Sequence, residues 1–351
     1  MLQASGIRSG RFTSPHLIDR WDCITINEKA VQESVFLEAE RLVNNRNKDE
    51  GIGASEFELL TATAFEIFAR EKIEMGVIEV GLGGRLDATN ILENKAVTVV
   101  SKMGLDHQSF LGNTLEEIAL QKAGIMRPGV PCVLDSTNPR LFGNPSVAKE
   151  ISEDNFEPHQ LDNLACAYNA FQIATGDHNP PLDKILPAIR KLQWPGRLQS
   201  VGIGAITGRQ EPTTLDGAHN AQSAAALGAF VDRKLRPDSS RVTWVLAASA
   251  GKELDNILKP LVQPGDNVVT TEFGPVDGMP WVQPMAANDI LGSISSAGVE
   301  TSQQYDAGSD VLGALCWATR ASGGGPMVIA GSLYLVSDVL RLLRSAESES
   351  K

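Results

Sequence analysis

Short apolar segments rich in β-branched residues alternate with helical patterns along most of this chain. Between residues 76 and 124, "GVIEVGL" and "AVTVVSKM" have the composition of strands, and "TLEEIALQKAG" follows as a helix. After Trp194 the alternation begins again, with "RVTWVLAAS", "DNVVTTEF" and "PMVIAGS" as strands separated by helical segments. Because strands that alternate with helices pair in parallel, this order predicts an α/β fold with parallel sheets flanked by helices in both halves.

The chain is long enough for two domains, and one interruption of the pattern indicates where they meet. Its 351 residues exceed the size of one small core. Pro195 and Gly196 break the alternation in "QWPGRLQS". We therefore predict one domain of residues 1–195, a second of residues 196–345 and a disordered polar tail of residues 346–351.

Composition and charge argue against several classes of protein. The formal net charge of -12 disfavours binding to the phosphate backbone of a nucleic acid. No apolar segment reaches the roughly 20 residues of a membrane span, and the N-terminus lacks the apolar core of a signal peptide. The four cysteines have no metal-ligand spacing, which is typical of reduced thiols. We expect a soluble protein with neither nucleic acid nor membrane among its partners.

The segment "EVGLGGRLDATN", residues 79–90, joins a carboxylate to a glycine-rich loop. It lacks the third glycine and the helix start of a dinucleotide fingerprint, and the 351 residues contain no G-x-x-x-x-G-K-[ST] phosphate loop. Glu79 interrupts an apolar strand near its carboxyl end, where a buried carboxylate needs a cation or strong donors. A metal ion and a salt bridge to Arg85 are the two alternatives.

His107 follows the next strand, in "GLDH" at residues 104–107. Because the carboxyl ends of parallel strands meet at one edge of a sheet, His107 is expected at the same edge as Glu79. A carboxylate and an imidazole there would form an environment for Mg²⁺. The alternative for His107 is an ordinary surface or core position.

Six motifs in a fixed order make the chain resemble the folate branch of the Mur-ligase family. The motifs read "SPHL", "EVGLGGRLDATN", "LDH", "LGNTLEEIALQKAGI", "WPGR" and "DGAHN", and the resemblance covers nearly the whole chain. That branch comprises dihydrofolate synthases and folylpolyglutamate synthases. Two further segments, "DCITINEKAV" and "GMPWV", resemble fungal dihydrofolate synthases more closely than folylpolyglutamate synthases.

The resemblance implies a P-loop-type ATPase domain and a C-terminal Rossmann-like domain. It also implies that ATP activates a substrate carboxylate as an acyl phosphate, which the amino group of L-glutamate attacks to form an amide. Dihydropteroate is the expected acceptor, and extension of the glutamate tail of a folate is the alternative. A cytoplasmic monomer is expected, with a mitochondrial fraction as a further expectation.

The same resemblance implies a metal and a modified lysine. Ser14, Glu79 and His107 match ligands of Mg²⁺. Lys122 matches the lysine that the family carboxylates with CO2, because carbamate oxygens suit a hard cation and an ammonium repels it. Glu79, His107 and Lys122 are therefore the expected catalytic residues. The alternative for Lys122 is a helix-surface pair with Glu117.

Further residues match substrate contacts of the family. Phe57, Asp87 and Ala88 correspond to positions that bind the pterin, through an aromatic face and a carboxylate for ring N–H donors. Phe57 is alternatively a plain residue of the helix core. The glycines after Glu79 are expected to let backbone and phosphate approach each other.

Four residues match nucleotide contacts, namely Asn163, Arg197, Asp216 and His219. A guanidinium suits bidentate recognition of phosphate oxygens. "DGAHN" precedes a predicted helix over residues 218–231, whose N-terminal end favours an anion. An ordinary helix cap is the alternative for this motif.

One motif of the family is not found in the chain. Family members carry a T-N-G-K-G-S loop upstream of a helix, and "MLQASGIRSGRFTSPHL" resembles the segment that follows that helix. We expect that an incomplete gene model has truncated the chain before its ATP loop. The alternative is a catalytically inactive paralogue that binds folate or nucleotide. The loop supplies donors for the transferring phosphate, so these residues alone are expected to form no acyl phosphate.

Overall fold

The computed structural model describes residues 1–136, 156–176, 180, 182–236 and 240–349. The chain divides into two units, Met1–Leu192 and Gln193–Lys351. The sequence placed this boundary between residues 195 and 196. Both units combine sheets and helices, and the predicted α/β class is confirmed.

The N-terminal unit combines short strands with helices on their connections. Its strands are β1 (Ser9–Phe12), β2 (Ile24–Ile26), β3 (Lys29–Ala30), β4 (Met75–Ile78), β5 (Thr98–Val100) and β6 (Cys132–Leu134). Its α-helices are α1 (Glu33–Asp49), α2 (Glu56–Arg70), α3 (Gln108–Leu111), α4 (Leu115–Ala123), α5 (Pro158–Thr175) and α6 (Leu182–Arg190). Two 3-10 helices cover Gln3–Ser5 and Ala88–Ile91.

The strands of this unit form a mixed sheet in the order β3-β2-β1-β4 and a separate parallel pair, β5-β6. β1 pairs in parallel with β4 but antiparallel with β2, so the prediction of purely parallel pairing is wrong here. β2 also pairs antiparallel with β3, because Asn27 and Glu28, with φ angles of 48° and 64°, form a tight turn between these two strands. Such a two-residue turn joins only antiparallel strands.

Two strands predicted from apolar segments lie at sheet edges. Among the described residues, β4 pairs only with β1 and β5 only with β6. Val77 on β4 is 50% exposed and Val99 on β5 is 39% exposed. Apolar residues on an unpaired edge favour association with a further strand.

The four-residue spacings from Ser55 to Glu58 and from Thr114 to Glu117 predict capping boxes, and both are confirmed in this unit. Ser55 accepts from the N–H of Glu58, whose carboxylate accepts from the N–H of Ser55 at 2.7 Å. Thr114 and Glu117 make the same reciprocal pair at the start of α4, which ends at Gly124 as the sequence predicts. α1 and α2 pack on β1 around a core that contains Phe12, Ile24, Phe36, Ala64 and Ile67.

The C-terminal unit consists of one six-stranded sheet with helices on its connections. The strands are β7 (Gln199–Val201), β8 (Thr213–Leu215), β9 (Thr243–Leu246), β10 (Asn267–Thr270), β11 (Gln303–Asp306) and β12 (Met327–Ala330). The helices are α7 (Gly204–Thr207), α8 (Ala221–Lys234), α9 (Leu254–Leu258), α10 (Ala287–Ser296), α11 (Val311–Ser322) and α12 (Leu333–Glu349).

The strand order of this sheet is β11-β10-β9-β12-β8-β7, and every pair is parallel except β7-β8. The sequence pattern predicts a helix over residues 254–262, but the helix ends earlier, at Leu258, because Pro260 cannot continue it and restrains the preceding residue. The predicted disordered tail is corrected for residues 346–349, which continue α12. Ser348 Oγ donates there to the carbonyl of Arg344 at 2.8 Å. The rest of that tail lies outside the described residues.

Helix length and the state of the cysteines follow directly from the described residues. Within the described part of the chain, no helix is long and apolar enough to cross a membrane. All four cysteines are free thiols. Burial raises the pKa of Cys23 to about 12 and that of Cys166 to about 11, so both thiols stay protonated near neutral pH.

Asp266 is the polar centre of the C-terminal core and is fully buried. Its carboxylate accepts from the Arg236 guanidinium at 2.6 and 3.0 Å. It also accepts from the backbone N–H groups of Val242 and Gln263 and from the indole of Trp244, each at 3.0 Å. The carboxylate therefore connects the ends of two neighbouring strands to the segment after α8 that carries Arg236.

Asp266→Ala should lower the free energy of unfolding by about 3–5 kcal/mol, because it removes the buried partner that contacts both terminal nitrogens of the Arg236 guanidinium. The control is Asp232→Ala, which removes a 49% exposed partner of the same Arg236 and should cost less than about 1 kcal/mol. Urea unfolding followed by tryptophan fluorescence measures both. Equal losses in the two variants would contradict this account of Asp266.

Candidate active site

Two of the predicted metal ligands meet where β1 and β4 end. The strands run in parallel, with Phe12 paired to Ile78, so the residues beyond them lie side by side. The backbone N–H of Ser14 donates to Glu79 Oε2 at 3.0 Å, and the N–H of Glu79 donates to the carbonyl of Phe12 at 2.8 Å. Ser14 and Glu79 are therefore in direct contact at the carboxyl edge of the sheet.

The reason first given for the importance of Glu79 is corrected by its exposure. Glu79 stands one residue beyond β4, and its side chain is exposed rather than buried in an apolar strand. Water reaches this carboxylate, so desolvation does not force a cation upon it. Its contact with the Ser14 loop is the feature that marks the position.

The glycines after Glu79 contact protein, which corrects the expectation that they make room for phosphate. A Cβ atom at Gly81 would overlap the ring of Phe57. A Cβ at Gly83, where φ is 69°, would come within 2.8 Å of Leu111. These glycines let the loop lie flat on α2 and α3.

The next glycine contact joins the loop to the end of α4. A Cβ at Gly84 would lie 3.1 Å from the carbonyl oxygen of Gln121 and 3.2 Å from that of Lys122. On the other side of the contact, a Cβ at Gly124 would overlap the backbone of Arg85. The N–H of Arg85 donates to the carbonyl of Gln121 at 2.9 Å. The loop therefore packs directly on the last turn of the helix that carries Lys122.

Lys122 lies in a partly buried position near Asp106. Burial lowers the pKa of Lys122, and the Asp106 carboxylate opposes this by favouring the ammonium form. The alternative for Lys122 is an ion pair with Glu117. Glu117 Oε2 already accepts from the N–H groups of Asn113 and Thr114, at 2.7 and 3.2 Å. A lowered pKa enlarges the fraction of neutral amine, which is the form that reacts with CO2.

Asp106 is a candidate residue that the sequence analysis did not single out. It precedes His107 in "GLDH", and its Oδ1 accepts from the His107 N–H at 2.9 Å. His107 has a left-handed backbone, with φ at 52°, and an exposed side chain at the start of α3. The acidic residue beside the predicted histidine was the signal that could have found it.

The oxygen donors here fit Mg²⁺ better than a metal ion that takes all of its ligands from protein side chains. Among the described residues, no group of three or more His, Cys, Asp or Glu side chains could hold a metal ion. Mg²⁺ is usually bound by one or two carboxylates, while water and phosphate fill its other positions. The contact of Ser14 with Glu79 offers a hydroxyl and a carboxylate of that kind.

The residues predicted to bind the pterin lie around the same loop. The ring of Phe57 stacks on Phe12, with centroids 6.1 Å apart. Asp87 Oδ1 accepts from both the N–H and the hydroxyl of Thr89, at 2.9 and 2.6 Å, and Oδ2 accepts from the N–H of Leu82 at 2.9 Å. A carboxylate accepts about four hydrogen bonds, so Oδ2 retains capacity for one more donor. Ala88 begins the 3-10 helix that Asp87 caps.

In the C-terminal unit, Asp216 joins the motifs "WPGR" and "DGAHN". Its buried carboxylate accepts from the backbone N–H of Leu198 at 2.8 Å and from that of Ala218 at 2.9 Å. A Cβ at Gly217 would overlap a guanidinium nitrogen of Arg197. Asp216 thereby fixes the turn that presents Arg197 beside Gly217.

The remaining predicted nucleotide residues are distributed over both units. His219 Nδ1 lies 2.7 Å from the carbonyl oxygen of Gly217. Asn220 caps α8 by accepting from the N–H of Ser223 at 2.9 Å, so the helix begins after the motif rather than within it. Asn163 is exposed on α5, in the N-terminal unit.

Comparison with known proteins gives the same family in both units. A family model described as dihydrofolate synthetase, C-terminal domain, matches residues 199–342. The chain is 35% identical to a "Probable dihydrofolate synthetase" of Schizosaccharomyces pombe, over 98% of this chain and 88% of the relative. It is 34% identical to the dihydrofolate synthetase of Saccharomyces cerevisiae, over 98% of this chain and 89% of the relative.

Solved structures share the fold. E. coli FolC in complex with DHPP and ADP superposes with a TM-score of 0.79 at 24% identity, over 99% of this chain and 84% of that one. A bifunctional folylpolyglutamate synthase/dihydrofolate synthase with Mn, AMPPNP and L-glutamate bound gives a TM-score of 0.77 at 26% identity, over 98% and 84%. The chain belongs to the dihydrofolate synthetase and folylpolyglutamate synthase family of ATP-dependent ligases.

Proposed function

We propose that this chain joins L-glutamate to dihydropteroate with ATP, through an acyl phosphate, to give dihydrofolate. The observation that carries the proposal is the alignment of 98% of the chain with fungal dihydrofolate synthetases, at 35% and 34% identity. In this reaction an acceptor carboxylate oxygen attacks the γ-phosphorus and ADP leaves. The glutamate amine then attacks the acyl carbon, and phosphate leaves with that carboxylate oxygen.

The residues around β1 and β4 would bind the divalent cation. We assign Ser14 and Glu79 to one Mg²⁺ and His107 to another, which is supported by the contact of Ser14 with Glu79 at 3.0 Å. When bound, the cation neutralises charge on the phosphates. Glu79 and Ser14 hold their relative positions through the paired ends of β1 and β4.

Lys122 would serve as a carboxylated lysine in this scheme. Its partial burial favours the neutral amine, and Asp106 gives a neighbouring carboxylate whose charge opposes that effect. Formation of the carbamate transfers the amine's proton to solvent and creates an oxygen donor. A loop that fits directly on the last turn of α4 keeps this side chain near the site.

The acceptor and the nucleotide would use different surfaces. Phe57, Asp87 and Ala88 are proposed to bind the pterin, with Asp87 Oδ2 accepting from a ring N–H. A further set is proposed to bind ATP, namely Asn163, Arg197, Asp216 and His219. Asp216 would act mainly by holding the Arg197 turn, because both of its oxygens already accept backbone N–H groups.

Assembly and location complete the proposal. A monomer is consistent with an acceptor site and a cation site that are each built from residues of one chain. We propose a cytoplasmic enzyme with a mitochondrial fraction, since some related folylpolyglutamate synthases are named as mitochondrial.

Glu79→Ala should lower ligation by at least about 100-fold, because it removes a proposed ligand of the cation that neutralises charge on the transferring phosphate. The assay measures glutamate-dependent phosphate release from these 351 residues and from a form extended at Met1 by a segment with T-N-G-K-G-S. We expect turnover only in the extended form. Glu93→Ala, at another exposed acidic position, is the matched control. Near wild-type turnover of extended Glu79→Ala would disprove the assignment of Glu79.

Dihydropteroate should be consumed in preference to a folate that already bears glutamate. The expectation rests on the alignment with dihydrofolate synthetases and on "GMPWV" and "DCITINEKAV". The extended form is given ATP, L-glutamate and either dihydropteroate or tetrahydrofolate, and products are separated by mass. Extension of tetrahydrofolate with dihydropteroate untouched would establish folylpolyglutamate synthase instead.

Gly217→Ala should weaken nucleotide binding by about ten- to hundredfold, because the new Cβ displaces the Arg197 guanidinium and a charge-assisted bond contributes about 1.5–3 kcal/mol. Gly202→Ala is the control, since a Cβ there meets no atom within 4 Å. Calorimetric titration with ADP compares both variants with wild type. Unchanged affinity in Gly217→Ala would remove Arg197 from the nucleotide site.

A further inference from the structure

The last residue of the glycine-rich segment, Asn90, fastens the loop to α4. Its side-chain Nδ2 donates to the carbonyl of Arg85 at 3.0 Å, within the loop, and to the carbonyl of Gly124 at 3.1 Å, at the end of the helix. One amide therefore bridges two backbone segments that are far apart in the sequence. Both carbonyls lie at the place where Gly124 and Arg85 already touch.

Two cations approach the other end of the same amide. Asn90 Oδ1 accepts from Lys95 Nζ at 2.7 Å and from an Arg127 nitrogen at 2.9 Å. Lys95 also donates to the carbonyl of Ile125 at 2.9 Å, and Arg127 to that of Gly124 at 2.9 Å. Both cations thus lie at the carbonyl end of α4, where positive charge is favourable. We call Asn90, Lys95 and Arg127 the clamp.

The choice of an amide at the centre of the clamp is informative. Two cations beside one oxygen would be stabilised better by a carboxylate than by a neutral amide. An aspartate cannot donate, however, and would set an oxygen against the carbonyls of Arg85 and Gly124. Asparagine at position 90 therefore keeps the two donated bonds that hold the loop, whereas aspartate would gain stronger ion pairs and lose those bonds.

We infer that Asn90 is a positioning residue for the ligase reaction. Resting on the proposed function, it fixes the loop that carries Asp87 and Ala88 against the helix that carries Lys122. The hydrogen bonds of Asn90 then fix the position of Asp87 and Ala88 relative to the catalytic lysine. Loosening the loop should harm use of the acceptor more than recognition of the nucleotide, because Arg197 and Asp216 lie in the C-terminal unit.

Asn90→Asp is the decisive variant, because it keeps the size and an acceptor for Lys95 and Arg127, removes the two donated bonds and adds a charge that these cations can pair. Hydrogen exchange of the peptide covering residues 80–92 should become at least about tenfold faster than in wild type. In the extended form, kcat/KM for dihydropteroate should fall about tenfold to 100-fold, while the KM for ATP changes less than about twofold. Asn47→Asp is the matched control, since Asn47 uses only its acceptor, toward the N–H of Ala54 at 3.0 Å.

The two readouts separate this inference from the proposed function. Slow loop exchange in Asn90→Asp, or fast exchange with unchanged acceptor kinetics, would overturn the positioning role. If wild type ligates glutamate to neither acceptor, the proposed function fails, and the exchange comparison still decides whether Asn90 holds the loop. If Asn90→Asp does not fold, Asn90→Ala gives the same comparison without added charge. Lys95→Met leaves both bonds donated by Asn90 in place, so the loop should stay protected from hydrogen exchange. Faster exchange of the loop in Lys95→Met would also count against the role of Asn90.

Discussion

Close contact between the glycine-rich loop and the last turn of α4 sets the arrangement of the N-terminal site. Gly84 and Gly124 allow the two backbones to approach to a distance at which a side chain would overlap them. The loop carries the proposed acceptor residues, and α4 carries Lys122. The site therefore depends on a packing contact made by residues without side chains, and on the polar bonds that keep this contact in one register.

Features encoded over a few residues were predictable from the sequence. Ser55 with Glu58 and Thr114 with Glu117 each satisfy a helix start within four positions, so spacing alone identifies them. The alternation of strands and helices gave the α/β class for a similar reason. Where one local residue was ignored, as with Pro260 in the helix that ends at Leu258, the predicted boundary was wrong.

Contacts between distant segments were not predictable in this way. The glycines after Glu79 had the composition of a phosphate loop, but their neighbours are Phe57, Leu111 and the end of α4, which no local pattern reveals. Asp266 and Arg236 are likewise joined only in the folded sheet. The burial argument for Glu79 is removed by the exposure of its side chain, and its contact with Ser14 is visible only in the folded sheet.

Transfer of oxygen from the acceptor to phosphate tests the central claim of ATP-dependent amide ligation most directly. The extended form of the chain is given ATP, L-glutamate and dihydropteroate whose carboxylate carries 18O. Mass spectrometry then measures the 18O content of the released phosphate. An acyl phosphate predicts one 18O atom in each phosphate, with the other retained in the amide of the product. Phosphate without label, formed while product accumulates, would contradict the mechanism.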